Sequence, residues 1–203
     1  MWEETYGDKL ILALRQKYEQ RQPENLEAAK DIRIGAKRIP AHRQSLFEGR
    51  CSILLPDSMT DMADAQAAAR YRSRQRPQII KAEAGGDAAL TFSLLPLYQE
   101  TMKEMGAPDR LKTIRRDMER IWKQNVFYDT GKVKAGQEEI PWMDLKAFCL
   151  NGQLYSLIFL FQMQGDMVLG NFHCRFQRYD IWKAAVLNIL TTLEIQEESH
   201  ERL

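Results

Sequence analysis

Three apolar runs separated by two turn signals dominate the second half of the chain. The runs cover residues 140–150, 154–163 and 167–176, and the turn signals between them are Asn151-Gly152 and Gly165-Asp166. Gly and Asn accept the positive φ angles that the favoured two-residue hairpin turns require. The pattern therefore predicts a three-stranded antiparallel meander, in which Leu150 pairs with Gln153 and Gln164 pairs with Met167.

Side chains alternate between the two faces of a strand, so this register assigns each residue of the meander to a face. One face, which we call the His173 face, carries Met143, Leu145, Ala147, Cys149, Ile158, Leu160, Leu169, Asn171 and His173. The other, which we call the Trp142 face, carries Trp142, Phe148, Tyr155, Leu157, Phe159, Phe161, Val168, Phe172, Cys174 and Phe176. Both faces are largely apolar, whereas a sheet with one solvated face alternates apolar and polar residues. We therefore expect helices to cover both faces.

Turn residues and apolar spacing place further elements around this meander. Strands are predicted at 46–55, 77–82, 88–95 and 126–133, with Gly85-Gly86 as a hairpin signal. Helices are predicted after an Asp57 or Ser58 cap through the alanines at 65–69, from Pro108 to about Lys123, and over about 180–193. The predicted fold class is α+β, a three-layer α/β/α sandwich. Its central, mainly antiparallel sheet has about six strands, with helices on both faces.

The chain divides into three predicted regions. Residues 1–45 form a helical N-terminal arm docked on the main domain, residues 46–195 form the sandwich, and residues 196–203 form an acidic tail. The arm contains a helix from Asp8 to about Gln20 and a second helical piece near 23–32. It has too few apolar residues to fold alone, so its first helix must dock on the domain or on a partner.

Composition indicates an ordinary globular domain. The chain has 203 residues, 44% apolar and 28% charged, with a formal net charge of +1. That balance gives no global field for nucleic acid or membrane, and no stretch approaches the ~20 apolar residues of a membrane span. The N-terminus lacks the pattern of a signal peptide. Cys51, Cys149 and Cys174 are an odd count without CxxC spacing, so we expect free buried thiols in a reducing cytoplasm.

Three local patterns resemble the PsbP-like α/β/α superfamily. They are Phe47-Glu48-Gly49 leading to Leu54-Leu55-Pro56, Gly170-Asn171-Phe172 in a late strand, and the helix from Trp182 to Leu193. The resemblance covers roughly residues 46–195, and the segment before residue 46 departs from it. Members of the superfamily, many of them bacterial, mostly bind other proteins and are not known for a shared active site. The resemblance therefore implies an adaptor or accessory role and transfers no functional residue.

Cys149, His173 and Cys174 are the residues whose types suggest a metal site. Zinc needs three or four such ligands converging at about 2.0–2.3 Å. The predicted register puts Cys174 on the face opposite Cys149 and His173, and it separates those two by ~13 Å along the strands. The same geometry argues against a nucleophilic Cys–His pair. We therefore expect no metal and no cofactor, and we interpret His173 as a core or edge histidine and the two cysteines as core thiols.

Arg70, Arg72, Arg74 and Arg76 alternate with polar residues before Pro77. As a strand, this segment would present four guanidinium groups on one face, and such groups bind phosphate or carboxylate well. We favour a solvated edge whose charge prevents edge-to-edge pairing, and we keep the four arginines as a speculative anion-binding or partner-binding site. A second basic stretch contains Arg110, Lys112, Arg115, Arg116, Arg120 and Lys123.

Asp144 is the carboxylate that stands on an otherwise aromatic strand face. It would need a partner if buried, and Lys146, two residues along, lies on the same face. A structural ion pair is the interpretation we favour over general acid–base work. The phosphate-binding loop, the dinucleotide fingerprint, HExxH and GxSxG are missing from the sequence. No residue is assigned as catalytic.

The leading hypothesis is a non-enzymatic cytoplasmic domain that binds another macromolecule, most directly a protein, with the N-terminal helix as contact element. A small-molecule-binding protein or hydrolase with a pocket between sheet and helices is the first alternative. It requires a deep pocket with at least two convergent titratable groups. An anion or nucleic-acid binder using Arg70–Arg76 is the second, and it requires affinity that falls steeply with salt. Homo-oligomerisation stays open.

Overall fold

The computed structural model describes residues 31–73, 76–95, 105–150 and 152–196, and these residues build a mixed α+β fold. The strands are β1 (Asp31–Ile34), β2 (Lys37–Leu46), β3 (Cys51–Pro56), β4 (Met59–Asp61), β5 (Ile79–Glu83), β6 (Ala88–Leu95), β7 (Val126–Ala135), β8 (Glu138–Cys149), β9 (Gly152–Met163), β10 (Asp166–Arg175) and β11 (Glu194–Ile195). The helices are α1 (Asp64–Arg70), α2 (Ala107–Ile121) and α3 (Tyr179–Leu190). Single 3-10 turns occur at Phe47–Gly49 and Phe176–Arg178.

Two antiparallel sheets carry the fold. The larger has seven strands in the order β4-β5-β6-β10-β9-β8-β7, and the smaller has four in the order β1-β2-β3-β11. The predicted α+β class with a mainly antiparallel sheet is confirmed, as are the hairpin between β5 and β6 and the three-stranded meander. The structure adds a second sheet that the sequence analysis did not predict. Its strand β2 is mostly exposed along its length, so it lacks the apolar alternation by which strands are recognised.

Residues 31–46 correct the prediction of a helical arm. They form β1 and β2, and Ile32 and Ile34 of β1 are buried in the main core. These two isoleucines are spaced at the strand period of two, so β1 buries one face without needing a long apolar run. The helix predicted from Asp8 to about Gln20 lies outside the described residues. The three-region division of the chain stays a prediction.

Helix positions agree with the sequence analysis in two cases and differ in one. Helices α2 and α3 lie where the helices from Pro108 and over 180–193 were predicted. The short helix does not start at an Asp57 or Ser58 cap, because β4 pairs with β5 there and α1 begins only at Asp64. The backbone groups of residues 59–61 are thus taken by the sheet, which leaves the helix only the alanine-rich part of the segment.

The meander has a register two residues away from the predicted one in both hairpins. Cys149 pairs with Gly152, whereas the prediction paired Leu150 with Gln153. Met163 pairs with Asp166, and the second loop is Gln164-Gly165, with φ of +48° and +82°. Positive φ at both loop positions is what the favoured hairpin turn requires. A shift of two preserves the side-chain period, so the predicted face assignments survive the change.

Each face of the seven-stranded sheet has its own apolar cluster. On the Trp142 face, the cluster joins the sheet to α3 and to the smaller sheet, and it includes Phe159, Phe172 and Trp182. On the His173 face, a smaller cluster joins Met143 and Leu160 of the sheet to α2. Apolar residues on each face therefore pack against elements outside the sheet, and the cluster on the Trp142 face is the larger of the two.

Candidate functional site

His173 lies beside Tyr71, the residue that follows helix α1. The hydroxyl of Tyr71 is 3.1 Å from Nε2 of His173, and the two rings meet edge to face with centroids 6.0 Å apart. Burial, together with a smaller effect of the nearby Arg70 cation, lowers the pKa of His173 to about 4. Burial raises the pKa of Tyr71 to about 12. At neutral pH, His173 is therefore an uncharged ring held by a protonated phenol.

Polar side chains from three adjacent strands surround His173 on its face of the sheet. Ser156 is the cross-strand neighbour of His173, and its Oγ donates to Oδ1 of Asn171 at 2.6 Å. Oγ1 of Thr91 donates to the backbone carbonyl of Asn171 at 3.1 Å. Because the hydroxyl proton of Ser156 points to an amide oxygen instead of a base, this cluster does not activate a nucleophile. It satisfies polar groups within the sheet.

The described arginines of this stretch, Arg70, Arg72 and Arg76, do not lie in the strand that was considered for them. Arg70 ends α1, and its guanidinium donates to the carbonyl of Gly85 at 3.0 Å and to that of Gly86. Gly86 has a φ of +64°, and a Cβ there would overlap the guanidinium of Arg70. Arg70 therefore closes the β5–β6 turn. Arg72 and Arg76 are exposed, and Arg74 lies outside the described residues. Anion binding by these arginines stays a prediction.

Asp144 belongs to a buried ionic network on the Trp142 face. Its Oδ2 lies 2.7 Å from Nζ of Lys183 and accepts from the hydroxyl of Tyr155 at 2.9 Å, while its Oδ1 accepts from the amide of Asp129 at 2.8 Å. Nζ of Lys183 also contacts Oδ2 of Asp129 at 2.9 Å. Burial raises the pKa of Asp144, and these three donors oppose the shift. The network ties α3 to β7, β8 and β9.

Asp144 contacts Lys183 of α3, whereas Lys146 was the partner predicted from the sequence. Lys146 lies beside two aromatic rings. Its ammonium lies 4.5 Å from the ring centroid of Phe176 and 5.3 Å from that of Phe148. The shared face was predicted correctly, but α3 brings Lys183 to the carboxylate, and spacing within one strand carries no information about that helix. The structure thus shows Asp144 in a buried ion pair and identifies Lys183 as its partner.

The three cysteines are free thiols in different environments. Burial raises the pKa of Cys51 to about 11 and that of Cys174 to about 12, so both stay protonated at neutral pH. Cys149 is exposed at the end of β8, which corrects the expectation of a core thiol. Within the described ranges, no three His, Cys, Asp or Glu side chains lie close enough together to hold a metal ion.

A groove of about 250 Å³ lies between the N-terminal half of α2 and the strands β7 and β8. Its lining residues are Pro108, Leu111, Lys112, Arg115, Thr130, Gly131, Lys132, Pro141, Trp142 and Met143. Pockets for drug-sized ligands hold about 300–1,000 Å³, so this groove is sized for one or two side chains. Its basic residues form surface ion pairs, such as Lys132 with Glu139 at 2.6 Å. The groove therefore combines an apolar floor with a charged rim.

Large apolar side chains are exposed where α2 ends and β8 finishes. Ile121 is 61% exposed, Trp122 44% and Phe148 41%, and Leu150 is fully exposed. Asn125 joins the two segments, because its amide donates to the carbonyl of Trp122 and its side-chain oxygen accepts from the amide of Phe148. We call these four residues the apolar end. Of these four, Phe148 was predicted from the sequence to lie on an apolar face of the sheet covered by a helix.

The arrangement of the main sheet and α3 defines a PsbP-like fold, as the resemblance in the sequence had predicted. Among solved structures, cyanobacterial PsbP (CyanoP) from Synechocystis sp. PCC 6803 matches with a TM-score of 0.55 and 11% identity, over 80% of this chain and 96% of that chain. The Ran-binding protein Mog1p of Saccharomyces cerevisiae aligns over 77% of this chain and 96% of its own, with a TM-score of 0.49 and 8% identity. No protein-family model matches the sequence, and no curated protein does.

None of the helices in the described part of the chain has the length and apolar character needed to cross a bilayer.

Proposed function

We propose that the chain is a non-catalytic binding domain, a PsbP-like α/β/α sandwich that docks on another protein through its apolar end. The observation that carries this proposal is the concentration of Ile121, Trp122, Phe148 and Leu150 at one end of the molecule. Singly exposed apolar residues are ordinary on soluble proteins, whereas contiguous patches mark interaction sites. Aromatic residues such as Trp122 and Phe148 are also enriched among the anchors of protein interfaces.

The polar groups of the interior support a binding role over a catalytic one. Asp144 is matched by Lys183 and Tyr155, and Ser156 is matched by Asn171, so each serves the packing of the sheet. The groove beside α2 presents cations without a convergent base or nucleophile among its lining residues. Reduced thiols at Cys51 and Cys174 suit a reducing compartment, and we propose the cytoplasm.

A photo-crosslinking amino acid at position 122 tests the proposal directly. The matched control carries the same amino acid at position 137, an exposed site in the β7–β8 turn at the opposite end of β8. Both full-length variants are irradiated in a lysate of the source cells, and the cross-linked products are identified by mass spectrometry. We expect a discrete protein at position 122, no such product at position 137, and loss of the product in a Phe148→Glu background.

Two results contradict the proposal. If position 122 yields no product, or yields the same proteins as position 137, the apolar end is not a docking surface. If the product contains two copies of this chain, self-association replaces binding to a different protein. The melting temperature of each variant is measured alongside, so that an unfolded variant is recognised before its cross-links are interpreted.

A further inference from the structure

Strand β7 lies at an edge of the seven-stranded sheet, and in the described part of the chain it pairs only with β8. Its pairing with β8 shifts register between Phe127 and Thr130 and is regular from Thr130 to Ala135. Over that regular stretch the outer side of β7 presents main-chain groups that another strand can use. An extended segment added to such an edge gains hydrogen bonds from the main chain, and its specificity comes from side-chain pockets.

The groove beside α2 provides such a side-chain pocket next to this edge. Thr130 and Lys132 of β7 belong to its lining, together with Leu111 of α2 and Met143 of β8. Leu111 is 5% exposed and Met143 is fully buried, so the floor is built on firmly packed apolar groups. At about 250 Å³, the groove accommodates one apolar side chain from a strand lying along β7.

Charge determines which kind of segment fits. Lys132 and Lys134 are both exposed and, two residues apart, project from the same side of β7, and Lys132 lines the groove. Lys132 is joined to Glu139 in an exposed pair, which contributes little to stability and is easily exchanged. Lysines on an edge discourage pairing with neutral or basic strands. Opposite charges across neighbouring strands stabilise the pair instead.

We propose that β7 and the groove bind an extended acidic peptide segment of a partner, which adds to β7 as a strand and inserts one apolar side chain beneath α2. Acidic residues of the segment lie opposite Lys132 and Lys134, and the apolar residue enters next to Thr130. This site is separate from the apolar end, which lies at the other end of α2, so neither proposal depends on the other.

The probe for this site is a fluorescein-labelled peptide, Glu-Thr-Glu-Thr-Leu-Thr-Glu-Thr-Glu, whose symmetric sequence fits either strand direction. Two comparison peptides carry Lys in place of Glu, or N-methyl groups on alternate amides. Binding to the full chain is measured by fluorescence polarisation at low ionic strength. We expect saturable binding of the acidic peptide, and at least tenfold weaker binding of both comparison peptides, because one reverses the charge and the other removes main-chain donors.

Substitutions in the chain test where the acidic peptide binds. Lys132→Glu should weaken binding of the acidic peptide at least tenfold. Lys37→Glu, an equal charge change at an exposed residue in another part of the fold, should leave that binding unchanged. Trp122→Glu should also leave it unchanged, which separates this site from the apolar end. The proposal is overturned if the acidic peptide does not bind saturably, if the lysine or N-methyl peptide binds equally well, or if Lys132→Glu has no effect in a chain with native circular dichroism.

Discussion

The two faces of the seven-stranded sheet are covered to very different depths. Helix α3 buries five residues against the Trp142 face, namely Trp182, Ala185, Val186, Ile189 and Leu190. Helix α2 is longer, yet the residues it buries are Arg110 and Leu111. Since apolar burial is the main favourable term in folding, the Trp142 face contributes most of the stability. The His173 face is left with the shallow groove beside α2, a feature that suits binding.

Ion pairs follow the same division. On the Trp142 face, Asp144 and Lys183 are buried together, and Arg178 binds Glu83 through two bonds of 2.6 and 3.3 Å. On α2 the pairs are exposed, as in Lys112 with Asp109. Removing one partner of a buried pair strands a charge in the interior, whereas an exposed pair contributes little. Ion pairs on the Trp142 face thus join secondary-structure elements, whereas the charged residues of α2 remain exposed and accessible to a partner.

Two leucines on β9 allow the sharpest test of this comparison. Leu157 and Leu160 are both fully buried, but Leu157 belongs to the cluster under α3 and Leu160 to the cluster under α2. We expect Leu157→Ala to cost about 4 kcal/mol of unfolding free energy and Leu160→Ala about 2.5 kcal/mol, because α2 can settle into the space while the α3 side cannot. Urea denaturation of both variants measures the difference.

Equal losses for the two leucines would show that both faces are packed with the same rigidity. The reverse order would make α2 the principal cover of the sheet. The slope of unfolding free energy against urea serves as a control, since a changed slope would indicate that the variant has altered the unfolded state or the two-state character of the transition.

The buried His173 makes the stability of the fold depend on pH. Its pKa is about 4 in the folded chain against an ordinary value of 6.5, so the unfolded chain binds more protons between these values. Stability is therefore fully present above pH 6.5 and is lost as the pH falls toward 4. We expect a loss of about 2 kcal/mol between pH 7 and pH 5, measured by urea denaturation at each pH.

The variant His173→Gln isolates this contribution. It should be less stable than the parent at pH 7 but should lose much less stability between pH 7 and pH 5. If the variant keeps the full pH dependence of the parent, the proton uptake belongs to other groups and the burial of His173 is not its cause.

Trp122 is the residue for which we expect the smallest effect on stability. Because its side chain is 44% exposed at the end of α2, we expect Trp122→Ala to change the unfolding free energy by less than about 0.5 kcal/mol. Thermal denaturation followed by circular dichroism measures this effect. A loss above about 1.5 kcal/mol, which is the size expected for a buried apolar side chain, would place Trp122 in the core and remove the main support for docking at the apolar end.

Residue order and spacing determined a large part of this fold. The apolar runs predicted the meander, and their two-residue period assigned residues to faces that the structure retains. That assignment survived an error of two residues in both registers, because a shift of two leaves every side chain on its own side of the sheet. Helices α2 and α3 were recognisable because apolar residues at helical spacing report which side is buried.

Only the tertiary structure determined which elements and side chains contact the two faces of the sheet. The exposed strand β2 exists because β1 and β3 flank it, and its own residues carry no strand signal. Lys183 reaches Asp144 because α3 crosses the sheet there, whereas the sequence pointed to Lys146. Trp122 and Phe148 are exposed because nothing in the described structure covers the end of α2. Local periodicity predicts whether a side chain is buried. The residues that it then contacts come from elements far away in the chain. Because a candidate site is formed by such contacts, it could not be predicted from the sequence.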